Sequence, residues 1–238
     1  MTWEFIFGRF VTLLLVCQLG LILWNLRVIL RPKKVKSYSN KKVSLLIPAR
    51  KEEGFIGDCL RSLLTQDHPN IEIVVLDDHS TDRTKTIVES IGERVKLIPS
   101  SPLPNGWTGK NWACHQLSQH ATGEVFFFID ADAVLEPIAI SSVLQVMEEQ
   151  KVDMVASLLR NRGSSLASRI LLPIVNHAVL ALFPASLVHR SSNPDVALAF
   201  GPFIGVTRNA YDKSGGHAAH PAHTVSYTHL TLPTILRV

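Results

Sequence analysis

Two carboxylates that directly follow a short apolar run are the residues of this chain with the clearest chemistry. Phe126–Ile129 is apolar throughout and is followed at once by Asp130-Ala131-Asp132. A run this short indicates a β-strand buried on both faces, and carboxylates at its carboxyl end lie where α/β sheets bind ligands. Such oxygen ligands suit Mg²⁺ or Mn²⁺, and an ion held this way typically carries a substrate diphosphate. Taken alone, an Asp-x-Asp is better explained as a solvated turn.

A second acidic pair follows another apolar run. Ile71–Leu76 ends in Asp77-Asp78, and its composition predicts a second buried strand. Because the carboxyl ends of parallel strands lie at one edge of a sheet, we expect the two acidic pairs to meet in one crevice. This convergence favours a binding site over two unrelated turns.

Apolar runs alternate with helical patterns from residue 43 to residue 157, and this alternation indicates the fold class. Strands separated by helices of about ten residues predict an α/β domain with a mostly parallel, doubly wound, Rossmann-like sheet. For the second helix, Ser80 or Thr81 is available as the N-cap. The predicted strands are Val43–Pro48, Ile71–Leu76, Val95–Ile98, Phe126–Ile129 and Val152–Ser157, and the predicted helices are Phe55–Gln66, Asp82–Ile91, Asn111–His120 and the apolar stripe Ile140–Met147.

The N-terminal part of the chain is far more apolar than the 46% average of its 238 residues. Phe10–Leu30 is almost continuously apolar and, as a helix, is long enough to span a hydrocarbon core of ~30 Å. Trp3 and Trp24 lie near its ends, where aromatic residues collect in membrane proteins. The alternative is a cleaved signal peptide, but the segment has no small-x-small cleavage site. We therefore predict a transmembrane anchor at 1–31.

The net charge of +4 is small and is concentrated in a basic linker at 32–42 and at its borders. By the positive-inside rule, this cluster places the following domain on the cytoplasmic side of the cell (inner) membrane. Tyr38 is the only aromatic residue interleaved in the cluster, so nucleic-acid binding is not expected. Its members are Arg27, Arg31, Lys33, Lys34, Lys36, Lys41 and Lys42. The three cysteines have no metal or redox spacing, which fits a reducing compartment without disulfides.

Four segments, in this order, resemble those of a known family. They are Val43–Pro48, Ala49–Glu53, Leu76–Asp82 and Asp130–Asp132. Over about residues 43–216 the chain resembles the nucleotide-sugar-binding half of a family 2 glycosyltransferase with the GT-A fold. The stretch Leu103–Lys110 is similar to that of the membrane-bound subgroup that includes hopanoid-associated and carotenoid glycosyltransferases.

The resemblance implies a role for each residue of these motifs. It implies that Asp132 is a ligand of Mg²⁺ or Mn²⁺. It implies that Asp130 helps to hold either the donor ribose or the coordination shell of the metal. Asp78 is implied to accept a hydrogen bond from the nucleobase imide, which favours a UDP-sugar. The other implied donor-binding residues are Pro48, Ala49, Arg50, Glu52 and Lys110.

Several of these residues also have simpler explanations. Lys110 follows Gly109 at the start of a predicted helix, where ammonium and amide donors can face phosphate, but it is also explained as a solvated cation. The pair Glu52-Glu53 is also explained by the helix dipole, and His79 as a polar loop residue. Trp107 and Trp112 are either packing residues or, beside the site, a surface for a sugar face or a lipid acceptor.

The second half of the chain is apolar but broken in pattern. Leu166–Val188 contains prolines and polar residues, and we interpret it as an amphipathic segment at the membrane interface or as a buried helix pair. Ala197–Val206 is predicted to be a strand with glycine where backbone or ligand approaches closely. The turn from Tyr211 to His217 resembles the acceptor side of the family. His217, His220 and His223 recur every third residue, but Pro221 interrupts them and a metal site is not expected.

The segment after this turn departs from the family. The resemblance implies a catalytic base after His217, but no Asp or Glu follows Asp212, so the catalytic residue stays unassigned. Val225–Thr234 looks like translated transposon-end adapter sequence. We therefore expect a GT-A domain at 43–217 that is incomplete at its C-terminus, and a foreign, non-family tail at 218–238.

Together these observations predict a membrane-anchored, inverting, metal-dependent glycosyltransferase. It would move a sugar from a nucleoside diphosphate to a lipid or isoprenoid acceptor. Two alternatives stay open, namely a nucleotide-sugar-binding fragment without turnover and a nucleotidyltransferase. The second shares carboxylate-bound metal but usually carries a glycine-rich phosphate loop, which Ala49–Glu53 is not.

Overall fold

The computed structural model describes residues 3–28, 39–156, 181 and 202–222, together with the backbone of 234–236. The predicted interfacial segment Leu166–Val188, apart from Ala181, and most of the predicted tail lie outside these residues. The helices are α1 Trp3–Val28, α2 Ile56–Leu64, α3 Thr84–Ser90, α4 Gly109–His120, α5 Ala139–Gln150 and α6 Arg208–Lys213, and a 3₁₀ turn spans Gly216–Ala219. The strands are β1 Val43–Ala49, β2 Ile71–Asp77, β3 Val95–Pro99, β4 Val125–Ile129, β5 Met154–Ala156, β6 Phe203–Thr207 and β7 Thr234–Leu236.

The strands form one mixed sheet in the order β3-β2-β1-β4-β6-β5-β7. The first four strands in this order run parallel to one another, which confirms the predicted α/β class with a mostly parallel sheet. Strand β6 lies antiparallel between β4 and β5, so the last part of the sheet is not doubly wound. The sequence pattern did not predict this insertion, because it depends on a pairing between distant parts of the chain.

Helices cover both faces of the sheet and bury most residues of its central strands β1, β2 and β4. Helices α2, α3 and α5 pack on one face, and α4 and α6 pack on the other. Because side chains alternate along a strand, Phe127 of β4 points to the first face while Phe126 and Phe128 point to the second. A Cβ atom at Gly205 of β6 would lie 2.6 Å from the Phe127 ring, so only glycine fits beside this phenylalanine.

A carboxylate at the amino end of the sheet ties three segments together. Glu72, at the start of β2, accepts hydrogen bonds from the Ser44 hydroxyl, the Thr122 amide and hydroxyl, and the Gly123 amide at 3.1 Å. Burial raises the pKa of Glu72, but these hydrogen bonds outweigh it and hold that pKa below its usual value. A side chain at Gly123 would collide with Ser44. This Glu72 clamp therefore fixes β1, β2 and the turn before β4 at the end opposite the acidic pairs.

Helix α1 corresponds to the predicted anchor but begins seven residues earlier than the apolar segment Phe10–Leu30. Trp3–Arg27 is long and apolar enough to cross a membrane. Most of its large apolar side chains are exposed, whereas Asn25 is buried. The helix therefore has the length and surface of a membrane span.

Helix α3 begins later than predicted. Its first residue is Thr84, and Asp82, rather than Ser80 or Thr81, accepts a hydrogen bond from the Thr84 amide at 3.1 Å. The Ser80 hydroxyl instead accepts one from the Lys51 amide at 3.0 Å. Ser80 and Asp82 thus position the loops beside the acidic pairs.

Candidate active site

The loops after β1, β2 and β4 and the first turn of α4 surround one cleft at the carboxyl edge of the sheet. Its volume is about 430 Å³, and all of the donor-binding and metal-binding residues predicted from the sequence line it. Asp77 does not, because neighbouring side chains of a strand point to opposite faces. The two acidic motifs therefore meet as predicted. The lining residues are Pro48, Ala49, Arg50, Glu52, Asp78, Gly109, Lys110, Ala113, Asp130, Ala131 and Asp132.

Hydrogen bonds between the loops after β1 and β2 set the wall that carries Glu52. The Asp78 amide donates to the Ala49 carbonyl at 2.8 Å, which continues the parallel ladder for one residue beyond β2. The Glu52 amide donates to the Thr84 hydroxyl at 2.8 Å, and this hydroxyl donates to Asp82 at 2.6 Å. Because Thr84 is fully buried, the position of Glu52 depends on packing as well as on hydrogen bonds.

The Asp78 carboxylate has two partners in the cleft. The Arg50 guanidinium lies 3.3 Å from Oδ2, and Nδ1 of His79 lies 3.2 Å from Oδ1. His79, expected as a polar loop residue, has φ 54°, and this left-handed backbone turns its ring toward Asp78. Each carboxylate oxygen has a further lone pair, so Asp78 can still accept from a ligand.

Lys110 makes a close ion pair across the cleft. The first turn of α4 is capped by Thr108, whose hydroxyl accepts from the Asn111 amide at 3.4 Å. From this turn, Nζ of Lys110 reaches Oδ1 of Asp130 at 2.6 Å. Lys110 is therefore ion-paired, although its side chain is still 46% exposed to solvent. Its predicted contact with phosphate stays a prediction.

The loop after β4 presents its two aspartates differently. Asp130 is held in place, because its amide donates to the Pro202 carbonyl and its own carbonyl accepts from the Ala133 amide, both at 3.0 Å. Asp132 is exposed and makes no hydrogen bond or ion pair within the described residues. One carboxylate of the Asp-x-Asp motif is thus paired, and the other is available to a ligand.

The donor set of the cleft fits a divalent cation with oxygen ligands. Burial, followed by the charges of Asp132 and Asp130, raises the pKa of Glu52, which shows that negative charge accumulates there. In the part of the chain that the structure describes, no group of three His, Cys, Asp or Glu residues forms a ready cation cage. Mg²⁺ and Mn²⁺ commonly bind through one or two carboxylates plus substrate phosphates, and Asp130 and Asp132 supply that number.

The Glu52-Glu53 pair divides into two different roles. Glu52 lines the cleft, whereas Glu53 accepts from the Arg83 amide at 3.0 Å on the outer surface. Glu52 is therefore placed where a ligand could contact it, whereas Glu53 is not.

Trp107 and Trp112 form an aromatic cluster with His115 on the outer side of α4. The ring centroids of the two tryptophans are 5.1 Å apart, and His115 stacks on Trp112. The Trp112 indole donates to the Ser101 carbonyl at 3.1 Å. None of the three lines the cleft, so the cluster lies beside the site and not within it.

His217 is a core residue. Its Nδ1 lies 2.7 Å from the Tyr211 hydroxyl, its ring lies against Phe128, and burial lowers its pKa to about 3. The Cβ of any side chain at Gly216 would enter the Tyr211 ring. His223, the third histidine of the predicted series, lies outside the described residues. The position of His217 is explained by its packing against Phe128 and its contact with Tyr211.

The segment after the 3₁₀ turn contacts the start of α4, which sequence reasoning did not anticipate. The Thr108 amide donates to the Pro221 carbonyl at 2.9 Å, and the Asn111 side chain donates to the His220 carbonyl at 3.0 Å. The only sign of this contact in the sequence is an asparagine, Asn111, in the first turn of the helix. This contact holds the turn that carries Lys110.

Fold and cleft together define an α/β protein of the GT-A type with an acidic site at the carboxyl edge of its sheet. The family model for glycosyl transferase family 2 matches residues 44–215, and the chain belongs to this family.

Two solved structures illustrate the fold. A mannosyltransferase from Pyrobaculum calidifontis, in complex with GDP-Man and Mn²⁺, matches 94% of this chain and 64% of its own, with a TM-score of 0.63 and 20% identity. S. aureus TarS 1–349 in complex with UDP-GlcNAc matches 83% of this chain and 56% of its own, with a TM-score of 0.53 and 21% identity. At sequence identities of 20% and 21%, the similarity to these two structures concerns the fold alone.

Curated relatives of this chain are 4,4'-diaponeurosporenoate glycosyltransferases. The Staphylococcus haemolyticus protein is 27% identical over 208 residues, covering 87% of this chain and 55% of the relative. The Staphylococcus aureus protein is 26% identical over 239 residues, covering 94% of this chain and 60% of the relative. The chain thus spans little more than half the length of these relatives.

Proposed function

We propose that this chain transfers a sugar from a nucleoside diphosphate donor, with UDP-sugar favoured, to a lipid or isoprenoid acceptor at a membrane. The observation that carries the proposal is the convergence of Asp78, Lys110, Asp130 and Asp132 on one cleft. These side chains supply an acceptor for a base, a cation for phosphate and two ligands for a metal. The family assignment and the named activity of the relatives support the same reaction.

In this proposal Asp78 selects the nucleobase. The Arg50 guanidinium keeps one of its oxygens paired with a positive charge, and the carboxylate accepts from the imide N–H of uracil. Pro48, Ala49 and Glu52 form the wall along the base and ribose. Because an ionised carboxylate has no hydrogen to donate, it disfavours a nucleobase that presents a hydrogen-bond acceptor at this position.

Asp132 and Asp130 would hold Mg²⁺ or Mn²⁺. When bound, the ion supplies Lewis-acid stabilisation of the leaving diphosphate. Lys110 adds a second positive charge from the first turn of α4, whose residues Gly109 and Lys110 line the cleft.

The proposed transfer inverts the anomeric centre. A single in-line displacement needs a base on the acceptor hydroxyl and no enzyme nucleophile. The family resemblance supports inversion. In this proposal the carboxylates that line the cleft are all assigned to the donor or the metal, so nucleotide-sugar binding without turnover is a second candidate function.

The surface around the cleft supports a lipid acceptor. Among the described residues outside α1, the large apolar side chains that are most exposed are Phe55, Leu103 and Val134. They lie in the loops after β1, β3 and β4, so they share the edge of the sheet that holds the cleft. An apolar rim next to a polar site suits an acceptor that stays partly in a membrane.

We further propose that α1 anchors the domain to the cell membrane with the cleft on the cytoplasmic side. Helix α1 has the required length, and the basic residues between α1 and β1 follow the positive-inside rule. The anchor then keeps the domain close to a lipid acceptor.

The test is calorimetric titration of UDP into the detergent-solubilised chain with Mn²⁺ or with EDTA, followed by an assay of sugar transfer to a polyisoprenoid in liposomes. Asp132→Asn should weaken Mn²⁺-dependent UDP binding at least about tenfold. Asp58→Asn, an exposed position on α2 that pairs with Arg61 outside the cleft, is the matched control.

The outcomes separate the candidate functions. Binding with transfer supports the glycosyltransferase, and binding without transfer supports the second candidate. Release of pyrophosphate from a nucleoside triphosphate would instead identify a nucleotidyltransferase. Absence of any Mn²⁺-dependent nucleotide binding by the wild-type chain would contradict all three.

A further inference from the structure

One ion pair in the cleft joins the proposed phosphate-binding residue to a proposed metal ligand. Nζ of Lys110 lies 2.6 Å from Oδ1 of Asp130, and the two side chains come from α4 and from the loop after β4. Asp132 makes no such pair within the described residues. The ammonium therefore holds one of the two carboxylates that a divalent ion would need.

A divalent ion and the Lys110 ammonium compete for Asp130. Mg²⁺ binds carboxylate oxygens at about 2.0–2.1 Å, and two cations on one oxygen would repel each other strongly. If the ion takes Oδ1 of Asp130, Lys110 has to leave it. Glu52, which lines the same cleft and interacts electrostatically with Lys110, is another carboxylate that the ammonium could approach.

The Lys110 head can move because no other described residue fixes it. Its side chain is 46% exposed, and among the described residues its only ion pair is with Asp130. A lysine carries its charge on a flexible four-carbon stem with three rotatable donors. By contrast, Asp130 is fixed through its amide and carbonyl. If this ion pair opens, the Lys110 side chain is therefore the part that moves.

A diphosphate in the cleft gives the displaced ammonium a second partner. Gly109, Lys110 and Ala113 of α4 line the same cleft as Asp130 and Asp132, so a phosphate bound between them lies within reach of the Lys110 head. Phosphate oxygens are strong acceptors for lysine, particularly beside a helix N-terminus.

We propose that Lys110 is a positioning residue that couples metal binding to donor binding by exchanging Asp130 for the diphosphate. It opposes binding of the metal alone, because its ammonium competes for Asp130. It favours binding of the metal together with a nucleoside diphosphate, because the released ammonium then pairs with phosphate. This inference rests on the proposed function, and by linkage each ligand must strengthen the binding of the other by the same factor.

The experiment measures Mn²⁺ and UDP affinities by calorimetry on the full detergent-solubilised chain. Lys110→Met should bind Mn²⁺ alone about two- to fivefold more tightly, because a partly exposed ion pair no longer competes. The same variant should bind UDP in the presence of Mn²⁺ about tenfold more weakly, because a charge-assisted hydrogen bond to phosphate is lost. The opposite signs of the two changes distinguish exchange from simple damage to the cleft.

Two further variants control for charge and for fold. Lys51→Met removes a positive charge from the same edge of the sheet, where Lys51 has no ion pair with any described residue, and should change neither affinity in this way. Lys110→Arg keeps the charge and should retain most of the coupling between Mn²⁺ and UDP. Thermal unfolding of each variant establishes that it is folded.

The results separate this inference from the proposed function. An unchanged or weaker Mn²⁺ affinity in Lys110→Met, with Mn²⁺-dependent UDP binding intact in the wild-type chain, overturns the exchange alone. A Lys51→Met variant that behaves like Lys110→Met also overturns it, since the effect would then be general electrostatics. A wild-type chain that binds no UDP with Mn²⁺ overturns both proposals.

Discussion

At the scale of single residues, the three aspartates of the cleft differ in the cation that pairs with each of them. Asp78 is paired with Arg50, Asp130 is paired with Lys110, and Asp132 has no ion pair among the described residues. The sequence predicted that these residues would meet, because acidic residues at strand ends are visible in the pattern. It did not predict their pairing, because an ion pair depends on side-chain reach across loops that are distant in sequence.

The Asp78→Asn variant tests selection of the base. An amide presents a donor as well as an acceptor, so we expect UDP to bind about tenfold more weakly, as when a buried charged partner is lost. Calorimetric titration of UDP with Mn²⁺ measures the change, with Asp58→Asn as the control. Equal UDP affinity in Asp78→Asn and wild type would remove Asp78 from the base site.

The Trp107→Ala variant tests the aromatic cluster. Trp107 lies beside the cleft against Trp112 and His115, so its loss should affect a lipid acceptor more than the donor. Steady-state kinetics should show a larger rise in the acceptor KM than in the donor KM. Equal changes in the two values would identify Trp107 as an ordinary packing residue.

At the scale of elements, loops are held by contacts made outside the cleft. The Glu72 clamp fixes the amino ends of β1 and β2. At the carboxyl ends of these strands, Thr84 and Asp82 fix the cleft wall that carries Glu52. Strand positions were predictable from apolar runs, whereas these polar contacts were not. A glutamate in a strand looks like any exposed polar residue until its partners are known.

Glu72→Gln should lower stability most near neutral pH. Because the folded pKa of Glu72 is depressed, its contribution is complete above the unfolded value of 4.5 and is lost as pH falls through the folded pKa. We expect a loss of about 1–3 kcal/mol at pH 7 that shrinks in acid. Urea unfolding of wild type and variant across this range gives the difference, and a loss independent of pH would contradict the ionised clamp.

Gly216→Ala should destabilise the 3₁₀ turn. Gly216 has φ 51°, and an added Cβ would enter the Tyr211 ring, so we expect a loss of about 1–3 kcal/mol. Gly54→Ala is the matched control, since nothing lies within 4 Å of its Cβ position. Thermal unfolding compares the two, and similar melting temperatures would exclude the steric explanation.

At the scale of the whole molecule, an apolar helix, a basic linker and an acidic cleft follow one another along the chain. The fold class and the family are confirmed, because periodicity and motif order are properties of the sequence itself. The antiparallel β6 between β4 and β5 was not foreseen. Apolar content alone does not specify which strand pairs with which or in which direction.

Charges introduced into α1 test the anchor. Each lysine at the centre of a membrane span costs about 2.5–3.5 kcal/mol, so the double variant Leu14→Lys, Leu15→Lys should leave the membrane fraction after a carbonate wash. The double variant Leu14→Ile, Leu15→Ile should remain with it. Retention of the lysine variant would show that α1 is not the anchor.

The hydrogen bond between Asp130 and Pro202 bears on protein engineering. The Pro202 carbonyl holds the Asp130 amide, so the start of β6 and the loop proposed to bind the metal share one fixed point. Libraries that diversify residues next to β6 should leave Pro202 unchanged. If Asp130 binds a cation as proposed, variants that displace Pro202 would alter cation affinity together with any intended change, and a screen that scores only product would confuse the two.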